Sequence, residues 1–81
     1  MNMTIEQITN FIIERLANLS QIPVDHFDVN QPLANYGVDS IHALSLCAEL
    51  EEWLKIEIDP TFAWDYPTIS LMASYILSEI N

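Results

Sequence analysis

The sequence predicts an all-α fold, a small four-helix bundle made of three main helices and one short helix. Apolar residues recur at helical spacing in three separated segments. One short alternating segment occurs, but it has no partner with which to form a sheet. The 81 residues suffice for one domain and no more. We therefore take residues 1–81 as a single domain.

The first helix is expected to begin at Thr4, because Thr4 and Gln7 fit a capping box. It should end before Pro23, since the residue that precedes a proline is pushed away from the α region. The apolar residues that recur along it at helical spacing are Ile5, Ile8, Phe11, Ile12, Leu16 and Leu19.

The second helix is predicted from about Ser40 to Leu54, with Gly37 and Asp39 supplying the turn and the cap in front of it. Residues 20–38 form a long loop between the first two helices, and loops of this length are usually functional or anchored by their own side chains. The expected anchors are Phe27, Val29 and Leu33, with Pro23 and Pro32 as stiffening residues.

The short helix should start with Asp59 as its N-cap and Pro60 at its first position, and Pro67 should stop it after one or two turns. Residues 55–58 alternate in polarity and are interpreted as an extended connector with Ile58 pointing inward. The last helix should begin after Thr68 as its N-cap. One of its faces carries Ile69, Met72, Ala73, Ile76 and Ile80.

The charge balance is strongly acidic, with twelve acidic residues against Arg15 and Lys55 and a formal net charge of −10. Such a chain repels nucleic acid and anionic lipid, so neither is expected as a partner. It favours encounters with basic protein surfaces, and this attraction weakens as salt rises. Because the acids also repel one another, added salt or divalent cations should stabilise the fold.

A single cysteine, Cys47, excludes an internal disulfide and argues against a structural zinc cluster. Residues 1–6 contain no basic region ahead of an apolar run, as a signal peptide would. No apolar stretch approaches the roughly 20 residues that a membrane span needs. The sequence thus favours a cytoplasmic protein, expected to be a monomer.

The second helix carries apolar residues on two sides, if each residue turns about 100° around the axis. One stripe, wide enough to face a core, consists of Ala43, Leu46, Cys47, Leu50 and Leu54. The opposite side holds Ile41, Leu44 and Ala48, with Ser45, Glu51, Glu52 and Lys55 beside them. Because a small bundle has one core, this second group should be partly exposed and could form a transient docking surface. The alternative is that Ile41 and Leu44 lie beneath the long loop.

The local pattern allows two interpretations of Ser40: part of a helix cap, or a functional hydroxyl. The first is favoured, because Asp and Ser before an apolar run usually mark only the start of a helix. A hydrolase triad of Asp39, Ser40 and His42 fails on geometry, because residues one and two apart on a helix do not face each other. There is also no glycine-flanked nucleophile elbow.

Other candidate sites are weaker. His26 and His42 lack the spacing of a metal site. Asp25, Asp28 and Asn30 lack the glycine and distal glutamate of a calcium-binding loop. Cys47 lies on the core stripe and is expected to be a small buried hydrophobe. The large aromatic residues expected in the core or at its rim are Trp53, Trp64 and Tyr66.

Residues 36–41, YGVDSI, resemble the Leu-Gly-x-Asp-Ser-Leu signature of acyl carrier proteins, the phosphopantetheine-binding carriers. The resemblance extends from about Ile5 to Ile80. Two departures, Tyr36 and Ile41 in place of the commoner leucines, are apolar and keep the expected packing. Further matching blocks are Pro32-Leu33, Leu50-Glu51, Ile56-Glu57-Ile58 and residues 65–69, DYPTI.

This resemblance implies that a phosphopantetheinyl transferase attaches the 4'-phosphopantetheine arm of coenzyme A to Ser40. The arm would end in a thiol that holds acyl groups as thioesters, and the carrier itself would not be an enzyme. Partner enzymes of the acyl-activating, acyltransferase or ketosynthase type would approach with basic docking surfaces. The residues expected to dock them are Asp39, Ile41, Leu44, Ala48, Glu51 and Glu52.

The subfamily is less sharply defined. Residues 65–68, DYPT, resemble carriers of polyketide and mixed polyketide–peptide pathways, and Val38 departs from the Leu-Gly-Gly of peptidyl carriers. Carriers of fatty-acid synthesis and peptidyl carriers remain alternatives. Met1 and the lack of linker-like ends favour a discrete carrier over an excised module. In a different class, the chain would be an unmodified acidic interaction domain that uses Ile41 and Leu44, with Ser40 only a cap.

Overall fold

The structure, a computed structural model of the chain, describes residues 3–80 and contains four α-helices. The helices are α1, Ile5–Ser20; α2, Ser40–Leu54; α3, Phe62–Asp65; and α4, Ile69–Ile80. Across residues 3–80 the β structure is limited to an isolated bridge between Pro32 and Thr68. The predicted bundle of three main helices and one short helix, with a long loop between the first two, is confirmed. None of the helices in this range is long and apolar enough to cross a membrane.

α1 begins as the capping box predicts. The Gln7 N–H donates to Thr4 Oγ1 at 3.1 Å, and the Thr4 N–H donates to Gln7 Oε1 at 2.9 Å. The helix ends at Ser20, earlier than the proline rule required, because Gln21 takes a left-handed conformation with φ 62°. The Gln21 N–H then donates to the Ala17 carbonyl at 2.9 Å and closes the last turn.

The core lies where α1 packs mainly against α4 and, less extensively, against α2. α1 contributes three fully buried residues, and Ile5, which the helical spacing also placed on this face, is exposed at the helix start. The side chains with less than 2% exposure are Ile8, Ile12, Leu16, Leu46, Leu50, Phe62, Ile69, Met72, Ala73 and Ile76. All of them are apolar, so the core is held by the hydrophobic effect and close packing.

The long loop is folded back onto α4 and contains two 3₁₀ turns, Val24–His26 and Leu33–Tyr36. Leu33 is buried, and its N–H donates to the Pro67 carbonyl at 2.9 Å. The carbonyl of Val29 accepts from the Ser70 N–H at 2.9 Å. The predicted anchoring by Phe27, Val29 and Leu33 is confirmed, because all three contact or belong to the core cluster.

α3 begins two residues later than predicted. Asp59 Oδ1 accepts from the Thr61 N–H at 2.9 Å and from the Thr61 hydroxyl at 2.7 Å, and the first helical residue is Phe62. Asp59 therefore closes a turn with the residue two positions ahead and does not cap the helix. The assignment of Asp59 as N-cap and Pro60 as first helical residue is wrong.

The remaining connections follow the sequence. Lys55 ends α2 in a left-handed conformation, and the connector places Ile58 in the core with 4% exposure. At the start of α4, Thr68 Oγ1 accepts from the Leu71 N–H at 3.1 Å, as expected of an N-cap.

Candidate functional site

The chain makes a sharp turn immediately before α2. Gly37 has φ 72°, and its N–H donates to the Ala34 carbonyl at 3.2 Å, which closes the second 3₁₀ turn. A Cβ added to Gly37 would meet no atom within 4 Å. Glycine is therefore favoured here by its left-handed backbone and not by crowding. The turn delivers the chain into α2 without covering Ser40.

Asp39 caps α2, as the sequence predicted. Its backbone is extended, and its Oδ1 accepts from the His42 N–H at 3.0 Å. This bond is the largest cause of a lowered Asp39 pKa, and nearby His42 charge and the Ile41 N–H act in the same direction. Asp39 is therefore an ionised carboxylate at neutral pH, directly before the candidate serine.

Ser40 is exposed and is the first residue of α2. At this position the N–H groups of Ser40 and Ile41 have no acceptor within the helix. Free N–H groups and the positive end of the helix dipole favour an anion. The start of α2 therefore fits a phosphate on the Ser40 oxygen. The main capping bond of Asp39 goes to the N–H of His42, two residues beyond Ser40, with a lesser contribution from the Ile41 N–H.

Ser40 also lies on the wall of a cleft of about 360 Å³ between the start of α2, the second 3₁₀ turn and α3. Asp39 and Ser40 stand at one part of this cleft, and most of the rest is apolar. The residues that line it are Pro32, Leu33, Ala34, Val38, Asp39, Ser40, Ala43, Ala63, Trp64 and Pro67. The attachment candidate is thus next to a concave apolar surface.

The outer face of α2, defined here by Ile41, Leu44 and Ala48, is exposed, as predicted. Ile41 is 70% exposed and Leu44 is 51% exposed, so the alternative in which they lie beneath the long loop is wrong. The five residues of the opposite stripe are all buried. Because the outer face starts one residue after Ser40, an apolar contact surface and the candidate serine share one end of the molecule.

Two of the glutamates expected beside this face have different environments. Glu52 is exposed. Glu51 is half-buried, and its Oε2 accepts from the Ile58 N–H at 2.8 Å. Glu51 thus holds the connector after α2 against the helix, a structural role that the sequence did not indicate.

The structure places the residues of the other candidate sites as follows. His42 Nδ1 lies 3.3 Å from Asp39 Oδ1, but no hydrogen bond joins its ring to Ser40 among the described residues. Between residues 3 and 80 no group of three metal-ligating side chains occurs. Cys47 is buried with its Sγ 3.5 Å from the Ile58 carbonyl, and burial raises the pKa of its thiol. It is an inert core residue.

The aromatic residues divide into packed and exposed ones. Trp53 is half-buried and stacks on Phe11 with ring centroids 4.0 Å apart, and Tyr66 stacks on Tyr75 at 4.5 Å. Trp64 is 63% exposed and lines the cleft beside Ser40, a placement that the expectation of a core or rim residue missed. The available signal was the short segment between Pro60 and Pro67, because a helix of one or two turns cannot bury every apolar side chain it carries.

Comparison with known proteins gives the family. Residues 10–76 match the family described as "Phosphopantetheine attachment site". The mellein synthase of Phaeosphaeria nodorum is 40% identical over 58 residues, and the 6-methylsalicylic acid synthase of Penicillium expansum is 32% identical over 66 residues. These alignments cover 72% and 82% of the chain but only 3% and 4% of the two synthases. The chain is similar to a small part of each.

Two solved structures are similar over almost the whole chain. A free-standing peptidyl carrier protein from a secondary metabolic pathway of Acinetobacter baumannii is 36% identical, with a TM-score of 0.94, covering 99% of this chain and all of that one. The HMG-ACPI domain of the CurA module of Lyngbya majuscula shares the fold at 20% identity, with a TM-score of 0.85, covering 99% and 88%. The family match spans most of the chain, and the protein therefore belongs to the phosphopantetheine attachment site family, whose members carry 4'-phosphopantetheine on a serine, and is a carrier protein.

Proposed function

We propose that Ser40 is the serine that receives 4'-phosphopantetheine and that this carrier serves polyketide biosynthesis. The observation that carries the proposal is the exposed Ser40 hydroxyl on the first residue of α2, inside the segment that matches the family. Among the described residues 3–80 no hydrogen bond joins a side-chain base to that hydroxyl, and we assign removal of its proton to the modifying transferase.

The attachment reaction balances with coenzyme A as the donor. The Ser40 oxygen loses its proton to a base of a phosphopantetheinyl transferase and forms a bond to the phosphorus that bears pantetheine. The bond from that phosphorus to the adenosine 3',5'-bisphosphate leaving group breaks. When attached, the arm supplies a terminal thiol that holds acyl groups as thioesters.

The residues of this chain bind the phosphate and keep the Ser40 hydroxyl accessible. The N–H groups at the start of α2, which have no acceptor within the helix, and the dipole of α2 favour the negative phosphodiester. Asp39 keeps the helix start formed by capping His42. The turn at Gly37 leaves the hydroxyl open to the transferase.

Partner enzymes are proposed to dock on the outer face of α2 and on the acids beside it. An apolar centre with surrounding charge suits contacts that must be specific and readily reversed. Asp39, Ile41, Leu44, Ala48 and Glu52 have the exposure that this role needs. The Glu51 carboxylate is engaged by the Ile58 N–H, so we assign it a smaller share of docking.

The polyketide assignment rests on the synthases that the chain resembles and on residues 65–68, DYPT. A peptidyl carrier is the second candidate, favoured by the similarity to the Acinetobacter baumannii protein over its full length. The two roles differ in the cargo, a carboxylic acyl group or an amino acid.

The attachment proposal is tested by intact mass. The purified chain is incubated with coenzyme A and a broad-specificity phosphopantetheinyl transferase, and the expected gain is one phosphopantetheine. Ser40→Ala should abolish the gain, whereas the control Ser45→Ala, on the same helix, should retain it. Modification that survives Ser40→Ala would move the site elsewhere, and an unmodified native chain would favour the unmodified interaction domain.

The docking proposal is tested by the rate of that modification. Asp39→Asn with Glu52→Gln removes two charges near the outer face and keeps a capping residue at position 39. We expect a lower kcat/KM and a weaker dependence on salt. The control is Glu57→Gln with Glu79→Gln, two exposed glutamates outside α2. Equal effects of the two pairs would mean that only net charge matters.

The cargo is tested on the modified carrier. An acyltransferase with a malonyl or acetyl thioester of coenzyme A is compared with an amino-acid-adenylating enzyme, and loading is read by mass. Acyl loading alone is the expected result, and aminoacyl loading alone would establish the second candidate.

A further inference from the structure

Trp64 is the largest apolar side chain of the cleft beside Ser40, and it is left 63% exposed. An indole can bury a large apolar area, so an exposed tryptophan on a concave surface marks a place where something else makes contact. Ala63 and Pro67 continue the same wall, and Pro32 lies on its other side.

The other tryptophan provides an internal contrast. Trp53 is half-buried, and its ring lies parallel to that of Phe11, with an interplanar angle of 5°. The fold thus stacks one indole on an aromatic ring, whereas within residues 3–80 the second indole, at the candidate attachment site, stacks on none.

The chemistry of the cleft changes along its length. Asp39, Ser40 and the free N–H groups of the helix start form a polar region, and the remaining lining consists of proline, alanine, leucine, valine and tryptophan side chains. Phosphopantetheine starts with the same order of groups, a phosphate followed by a carbon that carries two methyl groups in the pantoyl segment; its two amides come after these. The volume of about 360 Å³ lies near the small end of ligand pockets, which run from roughly 300 to 1,000 Å³.

We propose that the arm attached to Ser40 rests in this cleft with the dimethyl carbon of its pantoyl segment against the Trp64 indole. The inference deepens the proposed function and depends on it, because the arm must be on Ser40. The tether supplies a high effective concentration, so a weak contact suffices to populate the resting position. A weak contact also releases the arm readily to a partner. The cleft is filled by the arm, and the acyl group lies beyond it.

The test uses Trp64 as its own reporter. Trp53→Phe keeps an aromatic ring on Phe11 and leaves Trp64 as the single tryptophan. Conversion to the phosphopantetheine form, verified by mass, should shift Trp64 emission to shorter wavelength and reduce its quenching by acrylamide. In Trp64→Phe, the remaining Trp53 emission should not change on the same conversion.

A measurement on the unsubstituted protein guards against a variant that fails to fold. Two indole N–H resonances are expected in a ¹⁵N-labelled sample, and Trp64→Phe assigns them. Modification should move the Trp64 resonance and leave the Trp53 resonance in place. Equal movement of both would indicate a change of the whole bundle and would overturn the inference.

Two controls identify the occupant. Ser40→Glu adds a negative charge without a pantoyl segment, and it should not protect Trp64 from acrylamide; equal protection would overturn the inference. Arms loaded with acetyl and with longer acyl groups should protect Trp64 equally, and protection that grows with acyl length would assign the cleft to the cargo instead. A mass gain without any change at Trp64 overturns the resting position and leaves attachment intact, whereas the absence of a mass gain overturns the proposed function itself.

Discussion

The two faces of α2 are built from similar apolar residues but differ in their exposure to solvent. Leu46 and Leu44 are two positions apart on one helix, yet Leu46 is fully buried and Leu44 is 51% exposed. Leu46 loses all contact with water on folding, whereas Leu44 keeps about half of its own, so Leu46 gains more of the hydrophobic free energy of that transfer. The buried face keeps α2 in the bundle, and the outer face is available to other molecules.

Because both faces start beside Ser40, the helix holds the proposed attachment residue rigidly and presents a contact surface next to it. The number of apolar residues in a helix therefore does not indicate how much the helix stabilises the folded state. Only the apolar residues that are buried contribute substantially. The distinction can be measured by substitutions on either side, which we order from the largest expected loss of stability to the smallest.

The largest effect is expected for Leu46→Ala. Leu46 has 0% exposure, and removing a buried leucine side chain typically costs about 2–5 kcal/mol of unfolding free energy, through lost transfer energy and the cavity left behind. The matched change Leu44→Ala on the outer face should alter the unfolding free energy by no more than about 0.5 kcal/mol. Urea unfolding followed by circular dichroism measures both.

Domains of this size have small stability reserves, so Leu46→Ala can leave the bundle largely unfolded in water. Leu46→Met, which conserves most of the volume, should then cost less and give a resolvable transition. A Leu44→Ala loss as large as that of Leu46→Ala would contradict the assignment of Leu44 to an exposed surface.

Much of this comparison could be predicted from the sequence, because its causes are local. The bounds of α2, its Asp39 cap and its two stripes follow from capping preferences and a period of 3.6 residues. The left-handed Gly37 likewise follows from the one residue type that adopts it freely. The family signature lies on these same residues, so the candidate serine was located together with the helix start.

The features that sequence reasoning missed depend on particular side-chain hydrogen bonds and on tertiary packing, which a hydrophobic period does not report. The Tyr36 hydroxyl accepts from the Asp28 N–H at 2.7 Å within the long loop, a bond that no helical period signals. The exposure of Trp64 depends on where α3 sits, and α3 itself begins late because Asp59 bonds to Thr61. Such contacts appear only after the chain has folded.

Glu51 sharpens the comparison, because it lies at the border between the two faces. Its half-buried carboxylate accepts from the Ile58 N–H, and hydrogen bonds to charged groups are worth about 1.5–3 kcal/mol. Glu51→Gln replaces a charged acceptor with a neutral one and should lower the unfolding free energy by about 1 kcal/mol or more. Glu52→Gln removes the same charge from an exposed neighbour and should change it by no more than about 0.5 kcal/mol.

Urea unfolding of the two variants at one salt concentration separates the effect of charge from that of the hydrogen bond. Equal unfolding free energies for Glu51→Gln and Glu52→Gln would mean that the Glu51 hydrogen bond does not stabilise the fold. Glu51 would then count as a docking residue like Glu52. In the expected case, the hydrogen exchange rate of the Ile58 amide also rises in Glu51→Gln and not in Glu52→Gln.

A smaller effect than that of Leu46→Ala is expected at Asp39, which belongs to neither face and caps the helix that bears both. Asp39→Ala leaves the His42 N–H without its acceptor and should lower Tm by a few degrees, whereas Asp39→Asn retains a capping oxygen and should lower it less.

The pH dependence of Tm isolates the effect of the Asp39 charge. The His42 N–H bond lowers the Asp39 pKa below its ordinary 3.8, so the ionised carboxylate stabilises the fold fully above pH 3.8 and loses this effect as pH falls through the lowered value. The Tm difference between the native protein and Asp39→Asn should therefore be constant near neutral pH and shrink below pH 3.8. A difference that grows in acid would mean that the Asp39 charge opposes folding, and hence that folding raises the Asp39 pKa and does not lower it.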